Sequence, residues 1–308
     1  LLLKFNLDSI VAMHNDLKID ITDSSFKCYV KLHDIYGGET TPSNFNLILF
    51  PLAKKFDEGA GIDIVNFSDL DTTNWLTASY DGTNASKWNT PGANASGSLS
   101  DSNIDVIVSG TFPGESSAIS LSPTQLFKTG EEDLLVDVTK FVSGAIKNHI
   151  NNHGFLIAFS GSYEKDANTY FVKRFASRNT INLSKQPKLI IQYNDAIQDN
   201  HENFEFDRSG SLYLSNFSRG SLTNIVTDAA GNTLTGRNCM ILKIQTGSFT
   251  QQFNVSQVQR GDGRLTGIYS ASFKISSFDS ALYDHVQASG SIVFNEIWSN
   301  SAQTITYL

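Results

Sequence analysis

Apolar residues recur at every second position in stretch after stretch of this chain. Leu1, Leu3, Phe5 and Leu7 share one side; so do Phe26, Cys28, Val30 and Leu32, and then Phe45, Leu47 and Leu49. A strand turns successive side chains to opposite faces, so this period of two predicts half-buried β-strands and excludes a mostly helical chain. The stretch around which the first half is organised runs from Tyr170 to Thr180 and resumes from Gln186 to Tyr193. Phe171 and Phe175 lie on one side of it, with Tyr170, Val172 and Arg174 on the other. Leu189, Ile191 and Tyr193 then share a face behind Pro187, which lacks an N–H and fits a strand entry or an edge. This pair is expected to close a β-sandwich, joined by a loop from Ser177 to Gln186.

One helix is predicted, over residues 137–152. Val138, Phe141, Val142, Ala145, Ile146 and Ile150 fall at helical spacing, Asp137 suits the N-cap and Gly154 the stop. Phe155, Ile157 and Phe159 give a strand after it, and residues 104–108 one before it. Turn residues mark a loop over 36–42, and Ser, Asn, Thr and Gly predict an exposed, extended loop over 84–101.

Residues 195–203 are polar and acidic and read as a linker between a domain of 1–194 and a smaller one of 204–308. Beyond it the strand pattern restarts at Leu212 and Leu214; Met240, Leu242 and Ile244; Phe249, Phe253 and Val255; Ile268, Ser270 and Phe273; and Ile292, Phe294 and Ile297. Asp228-Ala-Ala-Gly231 and Arg260-Gly-Asp-Gly-Arg264 supply hairpin turns. The fold class expected is all-β: two tandem, jelly-roll-like β-sandwiches, with one helix in the first.

Composition narrows the function. A formal net charge of −8 argues against a nucleic-acid partner, because phosphate binding needs clustered Lys and Arg. No run of 18 apolar residues is present, so no membrane-spanning helix is expected. Two cysteines, Cys28 and Cys239, far apart, speak against a disulfide framework and for assembly in a reducing cytosol. The opening leucines read as mid-strand, so a segment upstream is expected; no signal-peptide pattern stands there.

Five pieces carry a family resemblance. Phe175-x-Ser177-Arg178 with Pro187-Lys-Leu-Ile-Ile-x-Tyr193 resembles the C-terminal signature of the DNRLRE-type β-sandwich domain. In the right order, Leu2-Leu-Lys-Phe-Asn-Leu-Asp-Ser-Ile10 resembles its opening strand, and Phe56-Asp-Glu-Gly59 its acidic turn, with Phe56 in place of the usual tryptophan. Trp88-Asn-Thr-Pro-Gly92 resembles its tryptophan loop, and Val136-Asp-Val-Thr139 its helix entry. Residues 206–225, with their Ser-Gly-Ser-Leu-Tyr-Leu-Ser-Asn wording, resemble structural proteins of tailed-phage particles. The resemblance implies a β-sandwich, a place in the virion after assembly in the bacterial cytoplasm, and other virion proteins and copies of itself as partners.

Candidate chemistry is sparse. His149 and His153 have the spacing of a helical zinc pair, without the glutamate that follows the first histidine in such sites; a solvated helix end is the simpler reading. Asp57, Glu58 and Asp63 could offer oxygens to calcium, or form a plain polar turn. Arg260-Gly261-Asp262 matches an adhesion tripeptide but is ordinary turn chemistry. Trp75, Tyr80 and Trp88 stand in a Ser/Asn-rich context and could stack on sugar rings, or cap the core instead. No nucleophile elbow, phosphate loop or zinc-protease motif occurs, so no catalytic residue, metal or cofactor is expected. The first reading is a non-enzymatic virion protein acting through subunit packing. The second is a carbohydrate-binding or host-recognition module using Trp75, Tyr80 and Trp88.

Overall fold

The computed structural model describes residues 1–35, 43–59, 72–164, 172–227, 230–300 and 304–305. Strands dominate, with three α-helices among the described residues. The chain divides into two compact units: Leu1–Asn15 with Ile21–Asn194, and Asp16–Asp20 with Asp195–Leu308.

The first unit holds two main sheets, both antiparallel. One has the order Leu2–Leu3, Phe155–Phe159, Phe45–Pro51, Thr124–Phe127. The other has Leu134–Asp137, Lys27–Leu32, Lys188–Gln192, so that Val30 lies between Val136 and Leu189. The period of two is realised directly: Phe45, Leu47 and Leu49 are buried, and so are Cys28, Val30 and Leu32. Phe45 stacks on Phe127, its cross-strand partner, with ring centroids 5.0 Å apart, the kind of aromatic pair that stabilises a sheet beyond the area it buries.

The predicted helix is shorter, Thr139–Ile146. It starts late because Asp137 still pairs with Tyr29 in the sheet, while its carboxylate accepts from Thr139 N–H. It stops early because Asn148 takes the left-handed conformation (φ 58°), with Asn148 N–H on Ala145 O and His149 N–H on Gly144 O. That is a Schellman-type ending. Gly154 instead turns the chain into Phe155–Phe159 at φ 95°, and a Cβ there would lie 2.4 Å from Leu3 O.

Two helices were not expected. Asp8–Asn15 begins where Asn6 accepts from Asp8 N–H, so the strand pattern of Leu1 to Leu7 survives only as Leu2–Leu3. Ser280–Ser289 is capped by Asp279 and closed by Gly290 at φ 70°. The loop expected over 84–101 holds the short strands Ala85–Lys87 and Ser96–Ser98, and the strand expected at 104–108 runs instead over Val106–Gly110. The loop at 36–42, and residues Tyr170, Phe171, Asp63, Asp228 and Ala229, lie outside the described residues.

In the second unit a six-stranded antiparallel sheet has the order Ser209–Ser215, Gly263–Lys274, Phe249–Arg260, Met240–Thr246, Asn295–Ser299, Thr304–Ile305. Gly261, at φ 57°, makes the tight turn between the two long strands, as expected. Two facings are corrected. Tyr269, Ala271 and Phe273 make the inner row of their strand, and Trp298, not Ile297, fills the core. Tyr269 belongs inside because its hydroxyl donates to Leu234 O and accepts from Ile225 N–H. A buried phenol with both partners costs little.

The stretch 172–176 is not a ladder strand. Val172 and Arg174 do face out, but only Phe175 makes a bridge, to Asp34. What fixes the segment is Lys173, whose side chain is 2 % exposed. Its ammonium donates to Asp34 Oδ1 (2.5 Å), Gly130 O (2.8 Å) and Glu132 O (2.9 Å). It also lies 5.0 and 5.1 Å from the ring centres of Phe127 and Phe175. Three donors meet three acceptors, which makes a buried charge tolerable. Lys173→Met keeps the stem and removes the donors; urea denaturation is expected to show a loss of about 2–4 kcal/mol, and an unchanged midpoint would refute this role.

Candidate functional site

The three candidate aromatics sit on one hairpin and on the chain just before and just after it. Thr77–Tyr80 pairs with Ala85–Lys87, and Asp81 closes the turn by accepting from Thr83 and Asn84 N–H. Those N–H bonds hold the exposed Asp81 carboxyl below its ordinary value. The loop of residues 88–95 then folds back under the hairpin.

Trp88 goes into the core. It is 6 % exposed and packs with Leu52, Ala78, Ala93 and Val106. Its indole N–H donates to Asn74 O at 3.0 Å, so burial leaves no polar atom unpaired. Tyr80 is half-buried, its own N–H bound to Asp57 Oδ2 at 2.7 Å. Only Trp75 stands out, 66 % exposed, beside Leu76 at 58 %. Sugar stacking on all three residues is therefore excluded, because the tryptophan that the composition placed on a polar loop is a core residue.

Trp75 is exposed but not loose. Gly92 N–H donates to Trp75 O at 2.7 Å, and a Cβ on Gly92 would lie 2.4 Å from Trp75 Cη2, so the indole rests on a glycine that leaves room for it. Asn74 Oδ1 accepts from both Leu76 and Thr77 N–H at 2.9 Å, fixing the bend.

The loop itself hangs on Asp105, which is fully buried. Its carboxylate accepts from Asn89 N–H (2.7 Å), Thr90 N–H (2.9 Å) and Ala95 N–H (3.2 Å), with Lys54 Nζ at 3.7 Å. Lys54 also donates to Lys87 O at 3.0 Å. Asp105 was missed in the sequence; its signal is an acidic residue amid the apolar run Ile104 to Val108, where a charge must be buried with partners or not at all.

The other candidates disperse. His149 and His153 lie beyond the helix end; His149 packs on Phe112, and burial and Lys4 hold His153 below its ordinary value. Asp57 is used by Tyr80 N–H and Lys55, and Glu58 by Arg178. Among the described residues no three His, Cys, Asp or Glu are grouped to hold a metal ion. Arg260 is tied to Leu17 O, Lys18 O and Asp195 O, and Gly261 N–H to Asp20. Cys28 is free and buried; burial and the Asp137 carboxylate push its thiol up to about 12, where it does not react.

Trp88→Ala is expected to cost about 3–5 kcal/mol of stability in chemical denaturation, and Trp75→Ala less than about 0.5 kcal/mol. Asp105→Asn turns one of the two accepting oxygens into a donor, set against either Asn89 N–H or the N–H groups of Thr90 and Ala95, and a loss of about 2–4 kcal/mol should follow in the same assay. Comparison with protein-family models, with curated proteins and with solved structures finds no match to this chain.

Proposed function

We propose that this chain is a non-enzymatic structural protein of a tailed-bacteriophage particle, built of tandem β-sandwich units, that works by packing against copies of itself and other virion proteins. The observation that carries the packing half of the reading is the exposed Trp75–Leu76 pair, whose indole is seated on Gly92. Large apolar side chains cost least to immobilise at an interface when they are already immobile. Tryptophan is also enriched among the residues that dominate interface energy. Burying this pair against a neighbour would contribute on the order of 3–5 kcal/mol. The virion half rests on the sequence resemblance of residues 1–194 and 206–225.

The sandwich reading is supported by the buried rows on the two sheets of the first unit and by the one-sided core of the six-stranded sheet in the second. The polar side chains buried deepest serve architecture: Asp105 and Gln257 bond mainly to main chain, and Lys173 to two carbonyls and Asp34. A second reading, carbohydrate recognition, keeps one observation in its favour, the fixed indole face of Trp75.

Light scattering over a concentration series tests the proposal. The chain is expected to form a closed oligomer or a polymer, and Trp75→Ser with Leu76→Ser to shift it toward monomer at unchanged melting temperature. A monomer at every concentration that binds a defined glycan, and loses it on Trp75→Ala, would replace assembly by carbohydrate recognition.

A further inference from the structure

We infer that His201 is a proton-operated clasp that fastens residues 199–206 across the edge of the second unit's core. The segment is laid along the strand Ser209–Ser215: Asn200 N–H donates to Ser211 O at 2.9 Å, and Ser211 N–H to Asn200 Oδ1 at 2.8 Å. Phe204 then stacks on Phe273, centroids 5.3 Å apart and planes within 3°, and meets Phe206 and Phe294 edge-on or tilted. Beside the segment lies an open cleft of about 340 Å³, lined by Phe204, Phe206, Ile244 and Phe294 and by the polar Asn200 and Glu296.

His201 lines this cleft with a carboxylate on each ring nitrogen. Nδ1 is 2.5 Å from Asp199 Oδ1, and Nε2 is 3.1 Å from Glu296 Oε2. Neutral imidazole has one N–H and one lone pair, so it satisfies one carboxylate and repels the other; only imidazolium donates to both. The two nitrogens point to opposite sides of the ring, so the three residues do not converge on a point that could hold a metal ion.

Glu296 shares the inner face of the sheet with Ile244, its cross-strand partner, and also accepts from Trp298 Nε1 at 3.2 Å. Lys243 pairs with Ile297 and faces the other way. On the segment itself, Glu202 makes no ion pair among the described residues and Glu205 is tied to Arg208. Among the described residues Asp199 and Glu296 make no ion pair except with His201.

Burial opposes the charge on His201, and Asp199 and Glu296 outweigh it, holding its titration above the ordinary value. The clasp is therefore closed below about pH 6.5 and opens as pH rises through the held-up value. Opening loosens the segment beside the cleft.

The test combines two measurements on the full chain. The His201 C2–H resonance, assigned by its loss in His201→Gln, is followed by NMR against pH. Amide exchange of residues 199–206, divided by that of Met240–Thr246 to cancel the intrinsic pH dependence, is followed by mass spectrometry. The expected result is a titration above that of free imidazole and a roughly threefold loss of relative protection from about pH 6 to about pH 8. That loss should vanish in His201→Gln, and Glu296→Gln, which keeps the side-chain shape, should lower the titration. Titration at or below the free value, or protection that does not change with pH, overturns the clasp.

Discussion

A backbone N–H or C=O shut away from water must find a partner, and at several places where the described strands stop, side chains provide it. Asp105 takes three N–H groups of the loop that follows Lys87. Gln257 accepts from Gly236 N–H and donates to Leu265 O, spanning a bulge between Gln257 and Gln259 where the long hairpin loses its register. Glu132 gathers the N–H groups of Lys128, Thr129 and Gly130. What burial it has pushes its carboxyl up, but these bonds prevail and bring it to about 2. Lys173 does the converse, supplying donors to carbonyls that no strand reaches. Short strands are held here by polar side chains that close their ends, and most firmly where the group is a buried charge, as at Asp105 and Lys173.

That device also shapes the surface. By holding the 88–95 loop, Asp105 sends Trp88 inward and leaves Trp75 outward on Gly92. One tryptophan is packed in the core while the other stays at the surface, so the three aromatics that the sequence grouped, Trp75, Tyr80 and Trp88, differ in burial. In the second unit a similar economy places His201 and Glu296 at the rim of an aromatic core, where a charge can be both paired and reached by solvent protons.

Legibility followed physical cause. The rows Phe45–Leu47–Leu49 and Cys28–Val30–Leu32 were readable because period two and burial on one face are the same statement. The turn at Gly261 was readable because few residues other than glycine take its backbone angle at low cost. The helix Ser280–Ser289 had its signal in Asp279 and Gly290 and was overlooked because only Leu282 of it is fully buried, which leaves little apolar periodicity. The stretch 172–176 alternates as a strand does, yet its hydrogen bonds are set by a lysine far better satisfied than a ladder position would leave it.

By itself the sequence determined the β-rich class, the inner faces of most strands and the places where the chain must turn, since these depend on residues close together in the chain. Tertiary structure decided which tryptophan is core, where the central helix begins and ends, and which carboxylates are structural. It also placed Asp199, His201 and Glu296 together. Those outcomes depend on contacts such as Lys173 with Asp34 and His201 with Glu296, 139 and 95 residues apart. A charge's partner, not its type, decides whether burial costs or stabilises, and partners that distant are set only when the sheets have closed.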